Sequence, residues 1–155
     1  MNMKPLRIYL DTSVFGGCFE KEFSKDSVRI FEAIQDGLLT VVFSDLVSLE
    51  LQNAPPHVKA LATDLPPEHS EEVDFNEEAK VLRDAYLEAG ILTPSSTTDA
   101  GHVATATVYR VDAIVSWNFK HIVRLEKMKL YNQINFKNGY GFLEIVSPRE
   151  VLNDE

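Results

Sequence analysis

Four short apolar runs, residues 8–10, 40–43, 113–117 and 142–146, are rich in β-branched and aromatic residues and are predicted as strands. Between them apolar positions recur with helical spacing. Predicted helices cover residues 24–36, closed by Gly37; 44–53, closed by Pro55 and Pro56; 57–63; 76–89, closed by Gly90; and 98–110. Ser147-Pro148-Arg149-Glu150 reads as a further helix start, with proline at the first helical position. Strands alternating with helices predict an α/β fold on a parallel sheet. Residues 64–76, with Pro66-Pro67 and several acids, read as a solvated loop, because apolar periodicity resumes at Ala79. Asn132, Asn135 and Gly139-Tyr140-Gly141 precede the last predicted strand.

The 155 residues suit one domain, 1–155, able to bury about two-thirds of its unfolded surface without metal or disulfide staples. The lone Cys18 has no internal partner for a disulfide, and no basic-then-apolar leader precedes Ile8, so a cytoplasmic protein is expected. No apolar run approaches the length of a membrane span, and no membrane association is expected. The net charge of −9 disfavours non-specific attraction to a polyanion and favours a basic peptide or divalent cations.

Candidate chemistry begins at Asp11, which ends the first apolar run and is followed by Thr12 and Ser13. In open α/β sheets ligands sit beyond the carboxyl ends of the strands, where this carboxylate is expected. On a helical wheel of residues 44–53, Leu46, Val47, Leu49 and Leu51 share an arc, with Glu50 in its middle. A carboxylate aimed into a packed face is costly unless paired, protonated or metal-bound, so Glu50 is expected to be shielded from solvent. The other reading is a frayed helix end that reaches water past Pro55.

Asp99 falls in a first helical turn behind Thr97 and Thr98, expected N-caps, where an anion is favoured on helix-start chemistry alone. The small residues Ala100, Gly101, Ala104 and Ala106 are expected to bring that helix close to the sheet. Asn118 follows the third apolar run at the same strand-end position as Asp11, and its other reading is a turn former. Ser13 and Ser116 are expected either to position a carboxylate or to cap a helix. In a doubly wound fold Asp11, Glu50, Asp99 and Asn118 converge. Three carboxylates in one place call for a cation, and Mg²⁺ or Mn²⁺ suits an oxygen-rich site better than zinc.

The blocks Ile8-Tyr9-Leu10-Asp11-Thr12-Ser13-Val14-Phe15, residues 44–51 with Glu50, Thr97-Thr98-Asp99-Ala100-Gly101-His102-Val103-Ala104-Thr105-Ala106, and Asp112-Ala113-Ile114-Val115-Ser116-Trp117-Asn118-Phe119-Lys120-His121 resemble the PIN-domain family in order and spacing. Within it the chain is most similar to VapC-like toxins of prokaryotic toxin–antitoxin pairs. The resemblance implies a three-layer α/β/α domain with a central, mainly parallel sheet. It also implies a divalent-metal-dependent endoribonuclease, with RNA as substrate and an antitoxin or a second copy of the chain as partner. Asp11 and Asp99 correspond to the family's metal-binding aspartates, and Glu50 to the acid of its second motif. The fourth position, commonly acidic, is Asn118 here, and His121 stands where a further aspartate is often found. That departure bears on a second metal.

Other residues carry weaker expectations. His102 is expected at the rim or in contact with substrate, because an oxygen site for a hard metal has no need of imidazole. Trp117 reads as core rather than as a stacking platform, and Cys18 as a small buried or loop residue. Lys120, Arg124, Lys127 and Lys129 read either as a phosphate-steering patch or as a solvated helix face. Two rival functions stay open: a PIN-like binding or regulatory module weakened by Asn118 and His121, and a phosphoryl-transfer enzyme with Asp11 as nucleophile. The latter lacks the partner acid two residues on, where Ser13 stands.

Overall fold

The computed structural model describes residues 4–152. Five strands, β1 (Leu6–Leu10), β2 (Leu39–Ser44), β3 (Ser70–Val73), β4 (Ala113–Val115) and β5 (Ile145–Val146), form one sheet in the order β3-β2-β1-β4-β5. Every pairing is parallel. β1 is central, and its residues Ile8, Tyr9 and Leu10 are fully buried, as expected of a strand covered on both faces. The chain runs outward from β1 to β2 and β3, then returns to place β4 on the other side of β1. Leu10 pairs with Val115, so Asp11 and Ser116 leave the sheet side by side at this switch point.

The helices are α1 (Thr12–Gly17), α2 (Ser24–Gln35), α3 (Asp45–Leu51), α4 (Pro56–Thr63), α5 (Glu77–Glu88), α6 (Thr97–Val108), α7 (Leu125–Lys137) and α8 (Pro148–Val151). They flank the sheet as the α/β reading required. Their ends follow local rules: Gly37 and Gly90 adopt positive φ after α2 and α5, Asn76 accepts from the Ala79 amide at 2.9 Å, and Ser147 and Glu150 form a capping box. α6 is buried from Ala100 to Thr107. Its two buried threonines return their hydroxyls to the carbonyls of Gly101 and Val103 at 2.8 and 2.9 Å.

Four elements differ from expectation. α1 follows β1 directly and, at six residues, is too short to show a helical apolar period. Residues 70–73 form β3 instead of loop. The sequence Ser-Glu-Glu-Val hides it because an edge strand keeps polar side chains outward, here Glu71 paired with Arg7 at 2.9 Å. α7 was legible only as a basic segment; its buried Asn132 and Asn135 break the apolar stripe. β5 is two residues long, and Phe142, expected inside it, is exposed.

Trp117 is core, stacked on Phe23 with ring centroids 4.2 Å apart and donating its indole N–H to Ser27 Oγ at 2.8 Å. A Cβ on Gly17 would lie 2.7 Å from Ser27 Oγ and 2.8 Å from Trp117 Nε1. Gly17→Ala is therefore expected to lower stability by about 1–3 kcal/mol despite alanine's better helix propensity. Thermal unfolding checks this, and an unchanged or raised Tm would refute the close packing.

Candidate functional site

Asp11 is held where β1 ends. Its backbone N–H still donates to Val115 O at 3.3 Å, and its extended backbone makes it the N-cap of α1, accepting from Ser13 N at 3.1 Å. Ser13 Oγ donates to the same carboxylate oxygen at 2.5 Å, and Ser116 Oγ donates to the other at 2.8 Å. Both serines are fixed in turn: Trp117 N donates to Ser13 Oγ at 3.0 Å and Asn118 N to Ser116 Oγ at 2.9 Å. Ser13 and Ser116 thus position the carboxylate, the first of the two roles open for them. The side chain sits in a buried residue, 4% exposed. Burial pushes its pKa up, His102 and the two serine bonds oppose that, and the nearby Asp99 charge adds to the rise.

Asp99 lies in the first turn of α6, whose N-cap is Ser96 without a side-chain capping bond, so Thr97 and Thr98 are helical and not caps. The half-buried Asp99 is also pushed up by burial, against His102 and His121, with Glu50 adding to the rise and the Asn118 side chain favouring the charged form. Gly101 lets α6 close in, although the neighbours its missing Cβ would meet are Leu46 at 2.9 Å and Phe75 at 3.6 Å rather than the sheet.

Glu50 corrects the wheel argument. α3 spans only Asp45–Leu51, and its buried stripe is Val47 and Leu51, one turn apart, while Leu49 is 57% exposed. Glu50 borders that stripe with its side chain 39% exposed, so it is not driven into the core. Its carboxylate is nevertheless tied down. Thr12 Oγ1 donates to Oε1 at 2.5 Å and His102 Nε2 lies 2.7 Å from the same oxygen. Burial raises its pKa, but the His102 bond and charge and the Thr12 bond outweigh it, so the net shift is downward. Both bonds land on Oε1, and Oε2 takes part in neither.

Asn118 combines its two readings. Its Oδ1 accepts from the backbone amides of Lys120 and His121 at 3.2 and 2.9 Å, which is turn-former chemistry. The Asn118 side chain also favours the charged form of Asp99, though less than the two histidines do.

Two histidines take roles beyond those expected of them. His102, expected at the rim, is 1% exposed and bridges Tyr9 and Glu50. Its helix is apolar or small on every side at positions 100–104, and that was the available signal for burial. His121 acts on the Asp99 charge, held through its carbonyl by Tyr131 Oη at 2.9 Å. Of the basic residues after Asn118, Lys127 is committed to the Ile91 carbonyl at 2.5 Å and the exposed Arg124 pairs with Glu126 at 3.5 Å, whereas Lys120 and Lys129 are exposed.

Among the described residues, no group of three or more His, Cys, Asp and Glu side chains is gathered closely enough to hold an ion as it stands. The donor chemistry still suits a hard cation. Asp11 and Asp99 are desolvated carboxylates that each sense a neighbouring acid, and Mg²⁺ commonly uses one or two carboxylates while keeping several waters.

No protein-family model and no curated protein matches the sequence. Solved structures match across most of the chain. The VapBC2 structure from Rickettsia felis, bound to a DNA fragment from their promoter, is 16% identical over 92% of this chain and 98% of that one, with a TM-score of 0.57. The sarcin-ricin loop cleaving toxin VapC20 of Mycobacterium tuberculosis is 13% identical over 74% of this chain and 92% of that one, TM-score 0.56. FitAcB from Neisseria gonorrhoeae is 13% identical over 92% and 99%, TM-score 0.57. At these identities the likeness is one of fold.

Proposed function

We propose that this chain, which has the VapC-like PIN-domain fold of those solved toxins, is a divalent-metal-dependent endoribonuclease and the toxin of a cytoplasmic toxin–antitoxin pair. The observation that carries the reading is the Asp11 carboxylate, buried at the switch point of the sheet, gripped by Ser13 and Ser116 and close enough to Asp99 to feel its charge.

In this reading Asp11 and Asp99 hold Mg²⁺ or Mn²⁺, with Glu50 offering Oε2 from the rim. A bound ion supplies Lewis acidity for attack of water on an RNA phosphodiester. Ser13 and Ser116 keep Asp11 oriented. Asn118 shapes the turn after β4 and presents its amide to Asp99. Lys120 and Lys129 attract the phosphate backbone, which the excess of acid elsewhere would repel. VapBC2 of Rickettsia felis is bound to promoter DNA, and an antitoxin partner for this chain is proposed on that similarity.

The test is cleavage of single-stranded RNA by the purified protein with Mg²⁺ or Mn²⁺, its loss in chelator and its return on adding Mn²⁺. Cleavage undiminished in excess chelator, with no metal left in the protein, would reject the metal mechanism. A second reading, a PIN-like module that binds without turnover, rests on Asn118 and His121 standing where the family commonly has acids. Mn²⁺ and RNA binding with no cleavage would select it.

Asn118→Asp separates the roles of that position. The new side chain keeps one oxygen for the Lys120 and His121 amides and turns the other, in place of –NH₂, toward Asp99. Mn²⁺ affinity is expected to rise on the order of tenfold, because ligand charge tunes divalent affinity, while the metal-free protein loses stability from added repulsion. Titration of Mn²⁺ against calorimetric heat checks this; identical curves would remove position 118 from the metal's reach.

A further inference from the structure

Tyr9, Ser44 and His102 are buried polar residues to which the nuclease reading gives no role. They form a continuous line. Leu46 N donates to Ser44 Oγ at 3.2 Å, Ser44 Oγ lies 2.7 Å from Tyr9 Oη, Tyr9 Oη lies 2.7 Å from His102 Nδ1, and His102 Nε2 lies 2.7 Å from Glu50 Oε1. β1 supplies Tyr9, the end of β2 supplies Ser44, and α6 supplies His102. The line therefore ties the sheet to the rim of the pocket. Among the described residues no buried side-chain nitrogen or oxygen lacks a partner.

With the ring neutral, the two ends fix the direction of the bonds. An ionised carboxylate only accepts, so Nε2 carries a proton. In the neutral ring Nδ1 is then the acceptor, Tyr9 must donate to it, and Ser44 must donate to Tyr9, which agrees with Ser44 accepting from the Leu46 amide. Reversing the line would leave an imidazole lone pair facing the carboxylate.

Resting on the nuclease reading, we propose that His102 is a positioning residue held by Tyr9 as the Nε2–H donor. In that state it fixes the Glu50 carboxylate with Oε2 turned to the cation. Glu50 needs such a holder because its side chain stands partly in water on a seven-residue helix, where a free glutamate would sample several rotamers. Groups that orient a metal-ligating carboxylate typically contribute about 10–100-fold to metal affinity.

The test uses the intact chain in two measurements. Nitrogen NMR of imidazole-labelled protein, at a pH where the ring is neutral, is expected to show His102 with Nε2 protonated and Nδ1 bare. Glu50→Ala, which removes the acceptor from Nε2, should mix the tautomers. Calorimetric Mn²⁺ titration should show an affinity loss of about 10–100-fold in His102→Phe, with partial recovery in His102→Gln, whose amide can still donate to Oε1. A purely structural role would not distinguish Phe from Gln in the folded fraction verified by circular dichroism. Protonated Nδ1 with bare Nε2, or wild-type Mn²⁺ affinity in folded His102→Phe, overturns the proposal. Wild-type protein that binds no Mn²⁺ rejects the nuclease reading, and the nitrogen signature then decides the hydrogen-bond line by itself.

Discussion

Asp11→Asn is expected to lose at least about 100-fold of RNA cleavage, equivalent to ~2.7 kcal/mol, and yet to melt a few degrees above the wild type in metal-free buffer at neutral pH. The loss follows from removing a charged ligand at the one carboxylate seated at the switch point of the sheet. The gain follows from the same burial. The folded-state pKa of Asp11 is raised by desolvation, with Asp99 adding to the rise. A raised carboxylate favours the folded state most below its unfolded value, about 3.9. That contribution is lost as pH rises through the folded value. Asparagine keeps an acceptor for Ser13 and gives Ser116 a donor to accept from, without the charge. The melting-temperature difference should therefore shrink as pH falls toward about 4. Asp99 behaves with the same sign, and Glu50, whose pKa is lowered, with the opposite one. Melting curves of both proteins across this pH range, beside RNA cleavage at neutral pH, check the prediction; an active variant, or one less stable at neutral pH, would contradict it.

The largest effect on stability is expected at Asn132, away from the carboxylates. From α7 its side chain accepts from Leu143 N at 2.7 Å and donates to Leu143 O at 3.1 Å, clamping the segment that leads into β5. Asn135 beside it receives the Tyr86 hydroxyl at 2.5 Å. Asn132→Leu preserves the volume but leaves both backbone groups of buried Leu143 without this partner. At about 1–3 kcal/mol for each group, the loss is roughly 2–6 kcal/mol. Urea unfolding at constant m-value checks it, and a midpoint equal to the wild type would show that Leu143 has other partners.

These two asparagines illustrate what the sequence hides. They stood out before the last strand, but hydrophobic periodicity has no means of announcing that Asn132 replaces a backbone ladder or that Asn135 joins the buried Tyr86 and Thr107 hydroxyls. β3 was hidden for the related reason that its pattern is that of an edge. The strand-end positions of Asp11 and Asn118, and the first-turn position of Asp99, were legible because apolar runs and helix-start residues mark them directly. Glu50 was singled out on a mistaken ground. The wheel assumed that a wide arc of α3 packs, whereas only Val47 and Leu51 are buried in it, and what restrains Glu50 is a pair of contacts from Thr12 and His102 far away in sequence. The needs of a hard metal point His102 to the rim, yet it is buried. The residues around it, small or apolar on all sides, already required burial, and burial required partners of the Tyr9 and Glu50 kind.

The most direct test of the account is anomalous diffraction from crystals of the protein soaked in Mn²⁺. The expected result is a manganese peak beyond the carboxyl ends of β1 and β4, coordinated by Asp11 and Asp99, with Glu50 Oε2 directed toward it. Crystals saturated with Mn²⁺ that show no peak there, or show the ion bound only elsewhere, would contradict the proposal that these carboxylates form a metal-dependent nuclease site.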